Sequence, residues 1–370
     1  MRFDLNPEQA DLVAELDRAL DAAPPSADSR ELFALLGDRR LLAVHYPTEY
    51  GGRNLSAAHQ AAIAERLGER GLPDEVHLVT VQGVGCTIAA YGTPYQRVTY
   101  LPQIAAGRLF ASLLLSEVGA GSDLTGIQTT ATPDGTGWRI SGEKCWNLRA
   151  DWSGIGLCSA RTRTTGNRYD GVTQFLVDLH APGVSLFPVP RAMGEPYFSV
   201  VLDDVRVGPD AIVGALHAGM SLMMTAIGYE RAGFDYLSRA RSWLGVAQEE
   251  IGKLAEPVQS ELGWQVVRLE RSVASARAMA FHAANTARDL RMDEVACAYS
   301  KLACGNVAQA VARWAGQELL PRLGARADGP NASLLRAAVA EAPELSISGG
   351  AFELQLDLIA NEPSIGYAVR

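Results

Sequence analysis

Apolar and polar positions follow one rhythm at the two ends of the chain and another in its middle. Near the start, Leu12, Val13, Leu16 and Leu20 recur at helical spacing behind Pro7 and Glu8, which predicts an amphipathic helix opening at Pro7. Further helices are expected over residues 31–42, 57–67, 76–91 and 96–106. Residues 21–29, DAAPPSADS, read as a linker. Residues 47–56, PTEYGGRNLS, read as a turn-rich loop, with Ser56 placed to cap the helix after it. Around Phe110 the period changes. β-Branched residues, glycines and turn signals take over, among them PDGTG at 133–137 and Asp170-Gly171. Strands are expected over 129–132, 138–141, 156–160, 173–178, 184–188 and 200–207. From about residue 209 long alanine-rich helices return, over 214–239, 261–288 and 294–320, with a last short helix within 346–361. In the second of these, Val266, Val267, Leu269, Val273, Ala276 and Met279 form a stripe that reads as buried. The expected fold class is α+β: an N-terminal helical domain (1–111), a middle antiparallel β domain (112–208) and a C-terminal four-helix bundle (209–370).

A length of 370 residues is enough for two or three domains with their own cores. The net charge of −9 argues against a nucleic-acid binder. No apolar run reaches the roughly 20 residues of a membrane span. The acidic, amphipathic start fits neither a secretory signal nor a transit peptide, so a cytoplasmic protein is expected. The cysteines, Cys86, Cys145, Cys158, Cys297 and Cys304, form no CxxC pair, and no spacing suggests a metal site. Reduced thiols are expected, with Cys297 and Cys304 on one helix face as core residues.

The stretch 113–123, LLLSEVGAGSD, carries the first candidate chemistry. Its apolar run suits a buried strand. Gly119 and Gly121 let backbone approach a ligand, Ser116 and Ser122 offer hydroxyls, and Asp123 can brace the turn. In isolation the same pattern describes an ordinary strand-to-turn exit.

Its neighbours decide the matter. HYPTEYGG (45–52), AERLGERG (64–71), the long run 90–124 ending in SEVGAGSDL, WRISGEKCWNLRAD (138–151), GVTQFLVDLHAPGVSL (171–186) and VLDDVRVGPDAIVG (201–214) together resemble the acyl-CoA dehydrogenases, in that family's order. The resemblance implies FAD at the junction of the three domains of a homodimer or homotetramer. It implies that Leu115 and Ser116 meet the flavin pyrimidine edge, that Gly121 and Ser122 approach the diphosphate and ribityl chain, and that Trp146 lies against the flavin ring. It further implies a reaction in which a carboxylate removes a proton from the α-carbon of an acyl thioester while hydride leaves the β-carbon for the flavin.

Most of the family carries that carboxylate as a Glu just before a Gly in the final segment. Here the matching segment is ISGGAFELQ (347–355), and the position falls on Gly349. A minority, including isovaleryl-CoA dehydrogenase, places the base on a bundle helix as a Glu before an Arg. This chain has Glu230-Arg231 there, so the resemblance makes Glu230 the candidate base. Arg231, Ser122 and Gly349 become candidate substrate contacts. The alternative for Glu230 is a surface residue pairing along its helix.

Other family features are replaced. Leu148 stands where a flavin-contacting Thr is usual. The family's RxQFG stretch has no counterpart between Arg239 and Trp264. GQELLPRLGAR replaces the loop after Gln317, which itself remains a candidate cofactor contact. Gly228 stands where a carboxylate often contacts CoA. The expected activity is α,β-dehydrogenation of an acyl-CoA or an acyl group on a carrier protein, in a biosynthetic setting, with a flavoprotein or oxygen as electron acceptor. The alternatives are a flavin-dependent monooxygenase or oxidase, and a degenerate subunit that completes an active homologue.

Overall fold

The computed structural model describes residues 5–164, 167–190, 196–288, 290 and 292–362, with the backbone alone at Thr225, Tyr229 and Glu230. Six α-helices precede the sheet. α1 (Pro7–Asp21) opens on a capping box in which Asn6 accepts the Gln9 N–H and the Gln9 side chain accepts the Asn6 N–H. α2 (Ser29–Asp38) uses Asp28 and Glu31 in the same way. It stops short of the expected residue 42 because Arg40 turns left-handed, at φ 54°. α3 (Ala57–Glu69) begins after Ser56, whose hydroxyl pairs with His59 Nδ1 at 2.8 Å instead of capping the backbone.

The helix expected over 76–91 is three pieces: α4 (Asp74–His77), a π-helical turn (Leu78–Gly85) and α5 (Cys86–Tyr91). The Tyr46 hydroxyl enters the widened turn and donates to the Val81 carbonyl at 2.5 Å. Gly85 makes room for it, since a Cβ there would lie 1.7 Å from the Tyr46 oxygen. α6 (Pro94–Ala105) follows, capped by Thr93 and Gln96.

The sheet holds β1 (Ala111–Leu114), β2 (Thr130–Asp134), β3 (Gly137–Leu148), β4 (Ile155–Arg161), β5 (Val172–Asp178), β6 (Val184–Val189), β7 (Tyr197–Val207) and β8 (Ile212–Val213). Its order is β6–β7–β3–β2–β4–β5–β8, with β1 pairing β4. Pairing is antiparallel except at β1–β4 and a single β2–β4 bridge. The strand expected over 138–141 runs on to Leu148, past a register irregularity. That extension builds the candidate site.

The C-terminal helices are α7 (Gly219–Glu230), α8 (Phe234–Ile251), α9 (Glu256–Asn285), α10 (Glu294–Trp314), α11 (Pro330–Glu341) and α12 (Phe352–Ala360). The single helix expected over 214–239 is broken by Gly233, at φ 76°. A Cβ there would sit 3.0 Å from Cys304 Cβ, so α10 packs directly on the break. α11 was not expected from the sequence; Pro330 after Gly329 starts it.

Leu16, Phe33, Leu36 and Ile63 centre the N-terminal core, Phe175 and Val205 the sheet core, and Trp243, Ala276 and Val311 the bundle core. Glu65 of α3 ties the first unit to the last, accepting from Arg241 and Arg277 at 2.6 Å each. Among the described residues no helix is long and apolar enough to cross a membrane. No group of three or more His, Cys, Asp or Glu there could hold a metal ion.

Candidate cofactor and acyl site

The turn after β1 is folded on itself. Glu117 and Ala120 exchange backbone hydrogen bonds of 3.0 Å, which lifts Val118 and Gly119 into solvent. The Glu117 carboxylate points the other way. It accepts the N–H groups of Gln128 (2.6 Å) and Thr129 (3.0 Å) and the Lys144 ammonium (2.8 Å). Burial alone would raise the Glu117 pKa, but Lys144 and these donors hold it below the ordinary carboxylate value. Lys144 also donates to the Leu115 carbonyl at 3.2 Å, and the Cys145 N–H to the Ser116 carbonyl at 2.9 Å. β3 thereby fixes the backbone of Leu115 and Ser116 and the carboxylate of Glu117.

Beyond that anchor lies open ground. Gly121 and Ser122 are exposed, and a Cβ added at Gly119 or Gly121 would meet no atom within 4 Å. Asp123 braces the turn by accepting the Thr125 N–H at 3.1 Å and pairs with Arg168.

Trp146 stands next to this turn, and its exposure has a local cause. The β3–β7 register shifts between Lys144 and Asn147, and Trp146 takes the left-handed conformation there, at φ 60°. The bulge turns the indole out of the sheet and leaves it 60% exposed, while Lys144 and Asn147 on either side are fully buried. A large aromatic held open by a backbone conformation that disfavours it is a flat, exposed platform. It fits a planar ring, with the Leu115–Ser116 backbone at its side. Among the described residues its aromatic neighbour is Tyr197, edge-on at 6.4 Å between centroids.

Tyr197 joins this platform to the last loop of the chain. Its hydroxyl donates to Glu344 at 3.0 Å, and the Glu344 carbonyl accepts the N–H groups of Ile347 (2.8 Å) and Ser348 (3.0 Å). On a second side, Met223 and Ile227 of α7 pack against Leu115. One turn further along, Arg231 follows the end of α7, buried, with Nε 3.4 Å from the Gly349 carbonyl. Gly349 and Gly350 both have positive φ, 61° and 97°, a succession that side-chain-bearing residues avoid. A relay of contacts thus runs from Trp146 through Tyr197 and Glu344 to the 347–350 loop, where Arg231 meets Gly349, while Leu115 packs on α7.

The remaining predicted residues divide. Leu148 is buried in the N-terminal core opposite Tyr197 of β7, and its carbonyl accepts the Ser112 hydroxyl at 3.2 Å. Gln317 is exposed on a π-helical turn (Ala315–Leu319) that packs on α8, α10 and α11. It lies sixteen residues beyond Lys301, past the end of α10, roughly 24 Å at 1.5 Å per residue. The Glu230 side chain lies outside what is described; its backbone closes α7. All the cysteines are buried, and burial holds the Cys158 thiol up at about 11 and Cys297 and Cys304 at about 12, well away from thiolate chemistry.

Sequence reasoning passed over Lys301 and Tyr236. Lys301 lies on the buried stripe of α10 with Cys297, Cys304 and Ala308. It donates to the Tyr236 hydroxyl at 2.8 Å and to the Ser348 carbonyl. A lysine on an otherwise apolar helical stripe was the available signal.

The chain matches the sequence descriptions "Acyl-CoA dehydrogenase, N-terminal domain" over residues 7–108, "Acyl-CoA dehydrogenase, middle domain" over 112–205 and "Acyl-CoA dehydrogenase, C-terminal domain" over 217–362. It is 37% identical over 192 residues to the acyl-CoA dehydrogenase IpdE1 of Mycobacterium tuberculosis, covering 52% of this chain and 50% of that one. It is 34% identical over 275 residues to the acyl-CoA dehydrogenase FadE34 of the same organism, covering 74% and 37%. The chain spans about half the length, or less, of these curated relatives. Its structure resembles that of the ChsE4–ChsE5 complex from M. tuberculosis, with a TM-score of 0.82, 25% identity and 99% of each chain covered. With three successive domain descriptions matched in order along nearly its whole length, the chain belongs to the acyl-CoA dehydrogenase family.

Proposed function

We propose that this protein is an FAD-dependent acyl-thioester dehydrogenase that forms an α,β double bond in an acyl-CoA, with units 1–111, 112–208 and 209–370 meeting at its site. One observation carries the reading. A backbone bulge presents Trp146 to open space beside the Leu115–Ser116 backbone, and Tyr197 and Glu344 tie that platform to the loop where the family keeps a catalytic carboxylate. Trp146 would lie along the isoalloxazine, with Leu115 and Ser116 at its polar edge and Gly121 and Ser122 along the diphosphate. FAD, when bound, supplies the two-electron acceptor that no side chain can provide.

The chain's own part is positional. Glu230 takes the α-proton, since Gly349 offers no side chain. Arg231 follows it at the end of α7 and fixes the 347–350 loop against that helix. Leu115, Met223 and Ile227 keep the intervening wall apolar and exclude water. Gln317, exposed on the turn after α10, contributes to a cofactor held by a second copy of the chain. Reoxidation passes to a separate flavoprotein. CoA, rather than a carrier protein, is the handle favoured by the relatives named above.

The test is direct. Protein reconstituted with FAD is mixed anaerobically with a panel of acyl-CoAs and acyl-carrier thioesters, and the visible spectrum is followed. Bleaching by an acyl-CoA with formation of the enoyl product supports the proposal. Protein that takes up no flavin, or flavin that no thioester bleaches, overturns it.

A further inference from the structure

A lysine buried without any exposure is costly unless something holds its charge, and Lys301 is such a residue. Its ammonium donates to the Ser348 carbonyl and to the Tyr236 hydroxyl at 2.8 Å, and lies 4.4 Å above the Tyr236 ring. The Tyr236 hydroxyl reaches Ser348 twice, at 3.1 Å to the carbonyl and 2.9 Å to Oγ. Arg231 takes the next carbonyl, that of Gly349, at 3.4 Å. Two cations, Lys301 of α10 and Arg231 just past α7, therefore hold two successive peptide carbonyls of one loop against the bundle.

A trans peptide is planar, with its N–H opposite its C=O. With the carbonyls of Ser348 and Gly349 turned inward, the N–H groups of Gly349 and Gly350 point outward. Among the described residues neither N–H has an acceptor. The positive φ of both glycines is the backbone form this requires. Left to itself, a Gly-Gly pair has the widest conformational choice of any dipeptide. The Ser348 N–H is held by the Glu344 carbonyl and the Gly350 carbonyl by Gln355 Nε2 at 3.2 Å, while the carbonyls of Ser348 and Gly349 are held by the buried cations.

We propose that Lys301, with Tyr236 as its bridge, is a positioning residue that fixes the 348–350 loop and keeps its two free N–H donors facing the acyl site. This deepens the functional reading above and rests on it for its catalytic consequence, though not for its structural one. Lys301 touches no substrate; it acts through Ser348 and Gly349.

The experiment compares Lys301→Met and Tyr236→Phe with wild type in two measurements on the flavin-loaded protein. The first is hydrogen–deuterium exchange of peptides covering 345–356 and, for reference, 137–148. In Lys301→Met the 345–356 amides, including Ile347 and Ser348, exchange at least tenfold faster while 137–148 is unchanged. Tyr236→Phe, the milder change, gives a smaller increase in the same peptide. The second is anaerobic flavin bleaching by a saturating acyl-CoA. Lys301→Met bleaches at least tenfold more slowly with its flavin spectrum unaltered. Exchange in 345–356 equal to wild type in both variants overturns the proposal whatever the activity. Faster exchange with a wild-type bleaching rate overturns the catalytic role. Failure of wild type itself to be bleached by any thioester counts against the functional reading alone, and the exchange result still decides the clamp.

Discussion

Lys144 Nζ and Glu117 Oε1 stand 2.8 Å apart, with the lysine side chain completely buried and the glutamate 9% exposed. A pair this dry contributes through what its loss would leave behind. Glu117→Gln keeps one acceptor oxygen where Gln128 and Thr129 each donate to their own, and it strands a buried ammonium. The expected cost is about 3 kcal/mol, read by urea unfolding. Adding Lys144→Met to Glu117→Gln recovers part of it, because the unpaired charge is gone. Equal or additive losses in the double variant would show that the two residues act independently.

Trp146 separates stability from binding. With 60% of its surface exposed, Trp146→Ala changes unfolding free energy by less than about 1 kcal/mol. The same substitution weakens FAD about tenfold, the scale of one good aromatic stacking contact. Flavin fluorescence titration reads the affinity. Unchanged affinity would remove Trp146 from the cofactor face.

The three-part architecture was visible in the sequence because apolar periodicity changes near residue 110 and again near 209, and patterning of that kind survives tertiary packing. The interruptions were not visible. The π-turn at Leu78–Gly85 depends on Tyr46, some forty residues away, entering the helix, and no local propensity encodes that. The break at Gly233 was readable in principle, since glycine at the end of an apolar helical run is a stop signal. The extension of β3 through Trp146 was hidden because a bulge destroys the strict alternation that marks a strand. For the site, Ser116, Trp146, Arg231 and Gly349 were named from resemblance, and of these Arg231 and Gly349 are in direct contact. Lys301, Tyr236 and Glu344 were missed because their partners are backbone carbonyls or distant side chains. Leu148 and Gln317 were named by position in a motif, and motif position did not say that the first is buried in the core and the second exposed.

Acid sensitivity follows from His45 and His77. Gln60 fixes the protonation of His45: its Nε2 donates to the Leu42 carbonyl at 2.8 Å, so its Oε1 accepts His45 Nδ1–H at 2.7 Å. His45 Nε2 is then the acceptor facing Cys86 Sγ at 3.0 Å. Burial lowers both histidines from 6.5 to about 4. The folded state therefore binds fewer protons than the unfolded chain between those values. Stability from these groups is complete above pH 6.5 and is lost as pH falls toward 4, by up to about 3 kcal/mol each. Urea unfolding at pH 7.5, 6.5, 5.5 and 5.0 traces the loss, and His77→Gln reduces its slope by about one proton. A flat profile in wild type between pH 6.5 and 5 would contradict this account.

The central claim concerns Glu230, and one rate measures it. Glu230→Gln is loaded with FAD and mixed anaerobically with the acyl-CoA that bleaches wild type fastest, and the flavin absorbance is followed by stopped flow. Removing a positioned general base costs two to four orders of magnitude, so the account predicts bleaching at least 100-fold slower, with flavin content and substrate affinity close to wild type. Bleaching of Glu230→Gln at the wild-type rate would contradict it and move the base elsewhere.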